Sequence, residues 1–465
     1  MSAPNHNPSA DVPSPVSFDR LPNEILHHIF GYLDTLPPSA RFEALQAEPN
    51  FSITKSDTKS LKAVSLTSKH WRSVSVPILF KHSQFIIPKD DLNLRLSQVM
   101  KPFFDFITSK SLQAMNSFTL ICHKKQVTDS PAGHHRVNDF ADFWIFFFQV
   151  IDPVDLLIVA PPEALGRLTS CRVYLAYEKS FECECQYLRL QRIPGVSAVH
   201  QPGANIDRGP KAVNEYEAEI EAIQRESFGI LRPLIFHSQR ADFSSLFSIR
   251  PWENLLLNEG SFIKAYNEIN FDHMRFPSIL PDLVGEVAQA DKALLSPTIR
   301  DMSYIAMFPA QTHFFALVRN LPRLDRLYTQ IVPPNQVLRD LHRMGIRQEL
   351  LWMERNSAYA FLMQDLFHSP ARGNFCYLKV LESGDQADRR SWEMAAQFIS
   401  RRRRGWKLVG DGVLVKNTEI RESPKGLEDI HNAHPMIFDA ELVRWAWNGT
   451  ANLPISTQPI YRRAW

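Results

Sequence analysis

The feature that most constrains how this chain can fold is a pair of short helical patterns near its N-terminus, separated by a polar segment that contains prolines. In both patterns apolar side chains recur every three or four residues, which places them on one face of an α-helix. Helices this short bury too little apolar surface to be stable alone, so we expect the unit to pack against a partner or another part of the chain. The apolar positions are Ile25, Leu26, Ile29, Phe30 and Leu33 in the first pattern and Leu61, Val64 and Trp71 in the second.

The residues around these patterns predict where the helices begin and end. Pro22 suits the first helical position, and the Glu24 carboxylate is favourable near the positive end of the helix dipole. The sequence Leu-Pro-Pro at 36–38 is expected to end the first helix. Pro77 is expected to stop or redirect the second, which leaves a short third helical piece over Val76–Phe80.

Two further N-terminal segments differ from these helices in composition. Residues 37–58 read as an insertion between the first two helices, with a short helix of its own around Phe42 to Leu45. Residues 1–17 are rich in Pro, Ser and Asn and lack apolar anchors. Such a composition cannot offset the entropy of ordering, so we expect a disordered tail there.

The order of residues in the helical unit resembles the F-box. Residues 21–33 read Leu-Pro-x-Glu-Ile-x-x-x-Ile-x-x-Tyr-Leu, residues 61–71 read Leu-x-x-Val-Ser-Leu-x-x-Lys-x-Trp, and residues 77–80 read Pro-Ile-Leu-Phe. Proteins of that family dock this unit on the small adaptor of a cullin–RING ubiquitin ligase, and the rest of the chain recruits a substrate. The resemblance implies an F-box over residues 18–82 whose adaptor-binding residues are Leu21, Pro22, Glu24, Ile25, Ile29, Leu33, Val64, Leu66, Trp71, Leu79 and Phe80.

Two features depart from the family pattern. The gap between the two halves is much longer than the usual loop, and Ser68 stands where a cysteine is common. Loop-closure entropy grows slowly with length, so the fold can tolerate the insertion. The insertion either leaves docking intact or alters or blocks it, and the sequence leaves both alternatives open.

Downstream of Phe80, short strand patterns alternate with helical patterns. Such alternation predicts a parallel sheet with helices packed outside it. Strands are predicted at 85–87, 118–121, 156–160, 172–175, 188–190, 255–257, 326–329, 377–381 and 413–415. Helices are predicted at 139–150, 215–226, 336–344, 357–367 and 391–400.

An irregular leucine-rich-repeat arc is the architecture we favour for this region. The strand signature Leu-x-x-Leu-x-Leu is approximated at 115–120, 168–173, 252–257, 324–329 and 375–380, but no regular period of about 20 to 29 residues holds. The preference rests partly on the resemblance, since F-box proteins often carry such repeats. The predicted fold class is therefore α/β, with a small N-terminal three-helix F-box followed by an irregular leucine-rich-repeat-like arc over residues 83–465 that contains a flexible loop at 191–211.

Composition narrows the functional classes. The formal net charge of +2 over 465 residues gives no global field that would attract nucleic acid. Five irregularly spaced cysteines favour free thiols in a reducing compartment over a secreted disulfide framework. The N-terminus lacks a signal-peptide pattern, and the longest apolar run, around Phe143–Phe148, is shorter than the roughly 20 residues of a membrane span. We expect a soluble intracellular protein, cytoplasmic or nuclear, that binds neither nucleic acid nor membrane.

No motif carries a clear catalytic or metal-binding signal. Cys183-Glu184-Cys185, with His123 and the His134–His135 pair elsewhere, provides one Cys-x-Cys, whereas a structural zinc site needs two paired sets of ligands. We therefore predict no metal, no cofactor and no enzymatic activity. The basic run Arg401–Arg404 is either a set of cations that favours a helix C-terminus or a nuclear-localisation or phosphate-binding patch.

These observations together predict a substrate receptor of a cullin–RING ubiquitin ligase. The N-terminal helices would bind the adaptor, and the C-terminal region would bind a protein substrate of unknown identity. The chain would contribute proximity, because it raises the effective concentration of the substrate near the ubiquitin carrier. Two alternatives stay open: an F-box scaffold in a complex that does not lead to degradation, and an enzyme or metalloprotein carried by the C-terminal region.

Overall fold

A computed structural model gives the structure of the protein. It describes Phe18, Phe181, Phe271 and residues 21–55, 57–88, 96–112, 115–123, 138–174, 183–193, 246–268, 276–285, 293–333, 335–345, 347–367, 373–387, 389–402 and 405–417. The predicted tail at 1–17, the predicted helix at 215–226 and most of the predicted loop at 191–211 lie outside these residues.

Three helices form the N-terminal unit: α1 (Asn23–Gly31), α3 (Lys59–Thr67) and α4 (Lys69–Lys81). Ser68 separates α3 from α4, because its side chain accepts a hydrogen bond from the Trp71 backbone N–H and so caps the second helix. Pro77 lies inside α4, so the expectation that it stops or redirects the chain is wrong. The buried side chains of Val74 and Ile78 hold the helix against its neighbours across the proline.

The segment between α1 and α3 has regular structure of its own. It contains a 3₁₀ turn at Pro38–Ala40, the short helix α2 (Phe42–Gln46) and a second 3₁₀ turn at Phe51–Thr54. The helix predicted around Phe42 to Leu45 is therefore confirmed. The buried residues of the segment between α1 and α3, which include Leu45 and Ile53, face the sheet described next.

One sheet of ten strands runs through the described part of the chain, in the order β1-β2-β3-β4-β5-β6-β7-β8-β10-β9. Pairing is parallel from β1 to β3 and from β5 to β8, whereas β4, β10 and β9 pair antiparallel with their neighbours. The fold is thus mixed α/β with a large, mostly parallel sheet. The strands are β1 (His82–Ile86), β2 (Ser117–Ile121), β3 (Asp155–Ala160), β4 (Gln186–Gln191), β5 (Asn254–Ser261), β6 (Asp301–Met307), β7 (Arg326–Gln330), β8 (Val380–Ser383), β9 (Trp406–Gly410) and β10 (Val413–Lys416).

The strand order follows the chain order up to β8, so each new strand is added beside the previous one. Two strands, β6 and β9, are missing from the sequence-based prediction. The strand predicted at 172–175 is wrong for its described part, because residues 171–174 have no regular structure. There the Arg172 guanidinium bonds to the Asp282 carboxylate, with Nη2 2.9 Å from Oδ1.

The remaining helices cover one face of the sheet. Those predicted at 139–150 and 391–400 are confirmed, the one predicted at 357–367 begins earlier, and the one predicted at 336–344 is divided before Leu341. The helices are α5 (Leu96–Val99), α6 (Lys101–Ser109), α7 (Asn138–Val150), α8 (Pro162–Thr169), α9 (Leu280–Val284), α10 (Gln311–Arg319), α11 (Asn335–Arg339), α12 (Leu341–Met344), α13 (Gln348–Phe367) and α14 (Arg389–Arg402).

The main core lies between these helices and the sheet. The apolar run on α7 contributes Phe143, Trp144, Phe147 and Phe148 to it, and the Trp144 indole N–H donates to the Leu168 carbonyl at 2.6 Å. None of the described helices is both long and apolar enough to cross a membrane.

Candidate docking site

The inner core of the three-helix unit is small. Leu26 and Phe30 of α1 pack with Leu61 of α3 and with Val74 and Ile78 of α4, and all five are buried. Because α1 packs against its neighbours on one side, only one stripe of it faces inward. Other apolar side chains of the unit therefore remain outside.

Several large apolar side chains of this region are exposed, and Phe18 is one of them at 54%. Ile25 is 49% exposed, Tyr32 77%, Leu36 68% and Leu66 79%. Ile25 lies four residues from Ile29 on α1, which places these two side chains along one side of the helix. Exposed apolar side chains concentrated on so small a unit are typical of a surface that a partner covers.

The structure divides the eleven predicted adaptor-binding residues into three groups. Pro22, Glu24, Ile25 and Leu66 are exposed. Phe80 packs against the main core, with its ring 5.1 Å from that of Phe106, so it links the unit to the sheet region. The half-buried group, which packs against the inner core, contains Leu21, Ile29, Leu33, Val64, Trp71 and Leu79.

Trp71 lies between the inner core and the surface. Its ring is 5.5 Å from that of Phe30 and 6.0 Å from that of Phe18, centroid to centroid. Its indole N–H is buried and has no hydrogen-bond partner among the described residues. Trp71 therefore serves mainly as an apolar wall of the unit.

The segment between α1 and α3, residues 38–54, lies across the sheet, on the face opposite the helices. We call it the strap. Its first turn contacts β2 and β3, and the ring of Phe42 lies under the Arg189 guanidinium of β4 at 5.2 Å. Near the end of the strap, the ring of Phe51 lies 4.3 Å from that of His123, just after β2. The strap thus runs out over the sheet and back again.

Polar side chains of the sheet bind the backbone of the strap. The Asn258 amide of β5 donates to the carbonyls of Leu45 and Ala47 at 2.7 and 2.8 Å. The Tyr187 hydroxyl of β4 donates to the Asn50 carbonyl at 2.6 Å and accepts from the Asn50 N–H at 2.7 Å.

Two further contacts hold the strap farther along the sheet, at β7 and α12. The Gln330 amide of β7 donates to the Gln46 carbonyl at 3.3 Å. The Arg343 guanidinium of α12 bonds to both carboxylate oxygens of Glu48 at 2.6 and 2.7 Å. The strap is therefore held from β4 to α12.

An apolar cluster lies under these hydrogen bonds. Leu45 is 0% exposed and Ile53 is 3% exposed, which means that the strap has a buried side of its own. Gly260 lies beside Pro49 of the strap, and its φ of +82° is a backbone conformation that suits glycine, while an added Cβ would lie 3.3 Å from the Cys183 sulfur. The sheet side of this cluster consists of Leu157, Val159, Cys185, Tyr187, Leu256, Ile305 and Tyr328.

Arg41 closes the base of the strap. Its Nη1 donates to the carbonyls of Ile53 and Lys55 at 3.0 and 2.9 Å, while its Nε and Nη2 donate to the Leu36 carbonyl at 3.2 and 3.1 Å. One guanidinium therefore holds the two ends of the strap together. The strap is an Ω-like loop with its own closing contact.

Sequence reasoning treats residues 37–58 as an insertion and predicts no contact between it and the sheet, although the strands carry a signal that something covers them. Residues 156–160 and 255–257 are continuous apolar runs. A sheet with one solvated face shows alternation instead, and a continuous run indicates a strand covered on both faces. The helices cover one face of these strands, and the strap covers the other.

The same face stays accessible where β6 and β7 begin and along β8 to β10, beyond the part that the strap covers, and we call this region the β6–β10 end. Arg326 of β7 bonds to Asp301 of β6 at 2.9 Å and to Glu382 of β8 at 2.5 Å, and all three side chains are about one-third exposed. Val409 of the edge strand β9 is 62% exposed. This end of the face combines paired charges with accessible apolar surface.

A buried polar cluster lies under the other face, around Glu259. Its carboxylate accepts a hydrogen bond from the Tyr304 hydroxyl at 2.8 Å and lies 2.8 Å from Nε2 of His313. Ser278 donates to the carboxylate and not to the imidazole. A nucleophilic triad needs a bond from the hydroxyl to the imidazole, so this arrangement fits a role in core structure.

Asp385 is a second buried carboxylate. It accepts hydrogen bonds from the backbone N–H groups of Ile331 and Val332 and from the Tyr359 hydroxyl. Burial raises its pKa to about 6, against the opposing effect of these donors. The cavity that it lines with Thr329 measures ≈ 30 Å³, which is room for a water molecule or two.

Candidate metal ligands are scattered. No group of three His, Cys, Asp or Glu side chains with metal-binding geometry occurs in the described parts of the chain. Cys183 Sγ lies 3.0 Å from the Cys185 carbonyl oxygen, and burial raises the pKa of the Cys185 thiol to about 12. The His134–His135 pair and the side chains of Arg401–Arg404 lie outside the described positions.

No protein-family description matches the chain, and neither does any curated protein or solved structure.

Proposed function

We propose that this protein is an F-box substrate receptor, which docks on the adaptor of a cullin–RING ubiquitin ligase and recruits a protein substrate for ubiquitylation. The observation that carries the proposal is the combination of the Leu-Pro-x-Glu-Ile order with exposed Ile25 and Leu66 on a three-helix unit. Apolar side chains that are exposed in the free chain release their hydration water when a partner covers them, which favours association.

The predicted contact residues have different roles in this proposal. The exposed ones, Ile25 and Leu66 above all, supply direct contact area. The half-buried ones, such as Leu33 and Val64, shape the surface from below. Substitution of an inner residue therefore mixes a folding effect with a binding effect, whereas substitution of an exposed residue tests docking directly.

The substrate side is proposed for the β6–β10 end of the sheet face. The strap covers the middle of that face, whereas Asp301, Arg326, Glu382 and Val409 remain partly accessible. Mixed charges beside apolar side chains are typical of transient protein interfaces. The substrate itself is a protein of unknown identity.

The test is co-purification of the adaptor with the full chain. The double variant Ile25→Ala and Leu66→Ala is expected to weaken adaptor binding at least about 100-fold, since each central contact contributes more than about 1.4 kcal/mol. Ile193→Ala is the matched control, because Ile193 is 51% exposed and lies outside the helical unit.

Three outcomes can be distinguished. Adaptor binding by the double variant at the affinity of the unaltered chain contradicts the docking assignment. Recovery of the adaptor without the cullin supports the scaffold alternative. Recovery of both, lost in the double variant and kept in Ile193→Ala, supports the receptor.

A further inference from the structure

The helical unit is attached to the sheet in two places. The first is covalent: α4 ends at Lys81 and β1 begins at His82, with no residue between them. Phe80 reinforces this junction through its contact with Phe106. A single junction of this kind would leave a hinge about which the unit could swing.

The second attachment is the strap. Its contact residues, Asn258, Tyr187 and Gln330, lie on three different strands. The strap emerges between α1 and α3, so it is joined to a different part of the helical unit from the α4–β1 junction. Two separate attachments remove the rotation that one attachment permits.

Internal closure makes the second attachment stiff. Arg41 joins Leu36, Ile53 and Lys55 through one guanidinium, which means that the strap cannot simply lengthen when the unit is pulled away. Leu45 and Ile53 are fully or almost fully buried against the sheet. Moving the unit would expose both side chains and break the bonds to Asn258 and Tyr187 together.

We infer that the strap is a clamp that fixes the orientation of the three-helix unit relative to the sheet. The surface on α1 and α3 and the free β6–β10 end of the sheet are thereby held at one distance and one angle. This inference concerns the chain alone and is independent of which partner, if any, binds the helical unit.

The test measures a distance within the full chain. Two fluorophores are introduced as non-natural amino acids at His70 of α4 and Glu349 of α13, both exposed, and single-molecule energy transfer gives the distribution of their separation. The unaltered chain is expected to show one narrow population. A broad distribution in the unaltered chain would overturn the inference.

Two variants loosen the clamp to different degrees. In the first, a short Gly-Ser linker replaces residues 38–54, which is feasible because Arg41 already brings Leu36 and Lys55 close together. In the second, Asn258→Ala removes both amide bonds to the strap. Asn254→Ala is the matched control, since Asn254 lies on the same strand and face and bonds to Gln191 instead of the strap.

The linker variant is expected to show a distribution at least twice as broad as that of the unaltered chain. Asn258→Ala is expected to broaden it to a smaller extent and to speed tryptic cleavage after Lys55 several-fold, whereas Asn254→Ala changes neither. If the linker variant folds and keeps the narrow distribution, the inference is wrong. If it does not fold, Asn258→Ala decides, and an unchanged distribution there overturns the inference.

Discussion

The Tyr187 hydroxyl and the backbone of Asn50 bond to each other in both directions, at 2.6 and 2.7 Å, across 137 positions of sequence. Burial raises the pKa of Tyr187, so the hydroxyl keeps the proton that it donates to the Asn50 carbonyl at neutral pH. The pair joins the strap to the centre of the sheet. A substitution that keeps the ring and removes the hydroxyl therefore measures this attachment.

Tyr187→Phe is expected to lower the free energy of unfolding by about 1–3 kcal/mol, because the peptide groups on both sides of Asn50 lose a partner within a partly buried contact. Urea denaturation measures the loss. The control is Tyr377→Phe at an exposed tyrosine, for which we expect a change of less than about 0.5 kcal/mol. Equal values for the two variants would show that the Tyr187–Asn50 bonds contribute nothing to stability.

Two leucines of the inserted region provide a second comparison. Leu45 is 0% exposed and Leu36 is 68% exposed. Leu45→Ala is expected to cost about 2–5 kcal/mol, since it removes buried apolar surface and leaves a cavity, whereas Leu36→Ala stays within about 0.5 kcal/mol. Thermal and urea unfolding of both variants check this. A small cost at Leu45 would mean that the strap is loosely held.

Asp385 predicts a pH dependence with a definite sign. Its pKa is about 6 in the folded chain, above the ordinary value of about 3.9, so the folded chain binds more protons between these values. The free energy of unfolding contributed by this group is therefore greatest below about pH 4, and it falls as the pH rises to about 6. Asp385→Asn removes this titration.

The measurement is the difference in unfolding free energy between the unaltered chain and Asp385→Asn, taken at several pH values. We expect the stability of the unaltered chain relative to the variant to decrease from about pH 4 to about pH 6 and then to level off. Asp411→Asn, at an exposed carboxylate, controls for loss of a surface charge. A relative stability that rises over this range would contradict the assignment.

Secondary structure is predicted correctly from the sequence where the apolar residues of a segment follow one clear pattern. The helical spacing of Leu26 and Phe30 and the apolar run at 156–160 both correspond to observed elements. Strand β6 is missed because Asp301 and Ser303 interrupt its apolar run, and β9 because its side chains are largely exposed. Such strands are stabilised by their neighbours in the sheet more than by their own composition.

Sequence-based reasoning also fails to predict the position of the strap, and the reason is different. Its hydrogen bonds to the sheet join residues separated by more than 130 positions, such as Asn50 with Tyr187 and Leu45 with Asn258. No local period encodes a pairing of that range. Residues 37–58 by themselves do not show that the insertion packs on the sheet, and only the continuous apolar runs in the opposing strands indicate that something covers them.

The strap also determines how the chain can be divided. A cut after residue 82 would leave Leu45 and Ile53 uncovered on one piece and Leu157, Val159 and Leu256 uncovered on the other. The Asn258 and Tyr187 side chains on the second piece are the hydrogen-bond partners of the Leu45, Ala47 and Asn50 backbone on the first. Produced as separate polypeptides, the two pieces would behave as a split protein whose halves reassemble. Unfolding of a series of truncated chains would show that the helical unit, the strap and the sheet form a single co-operative unit.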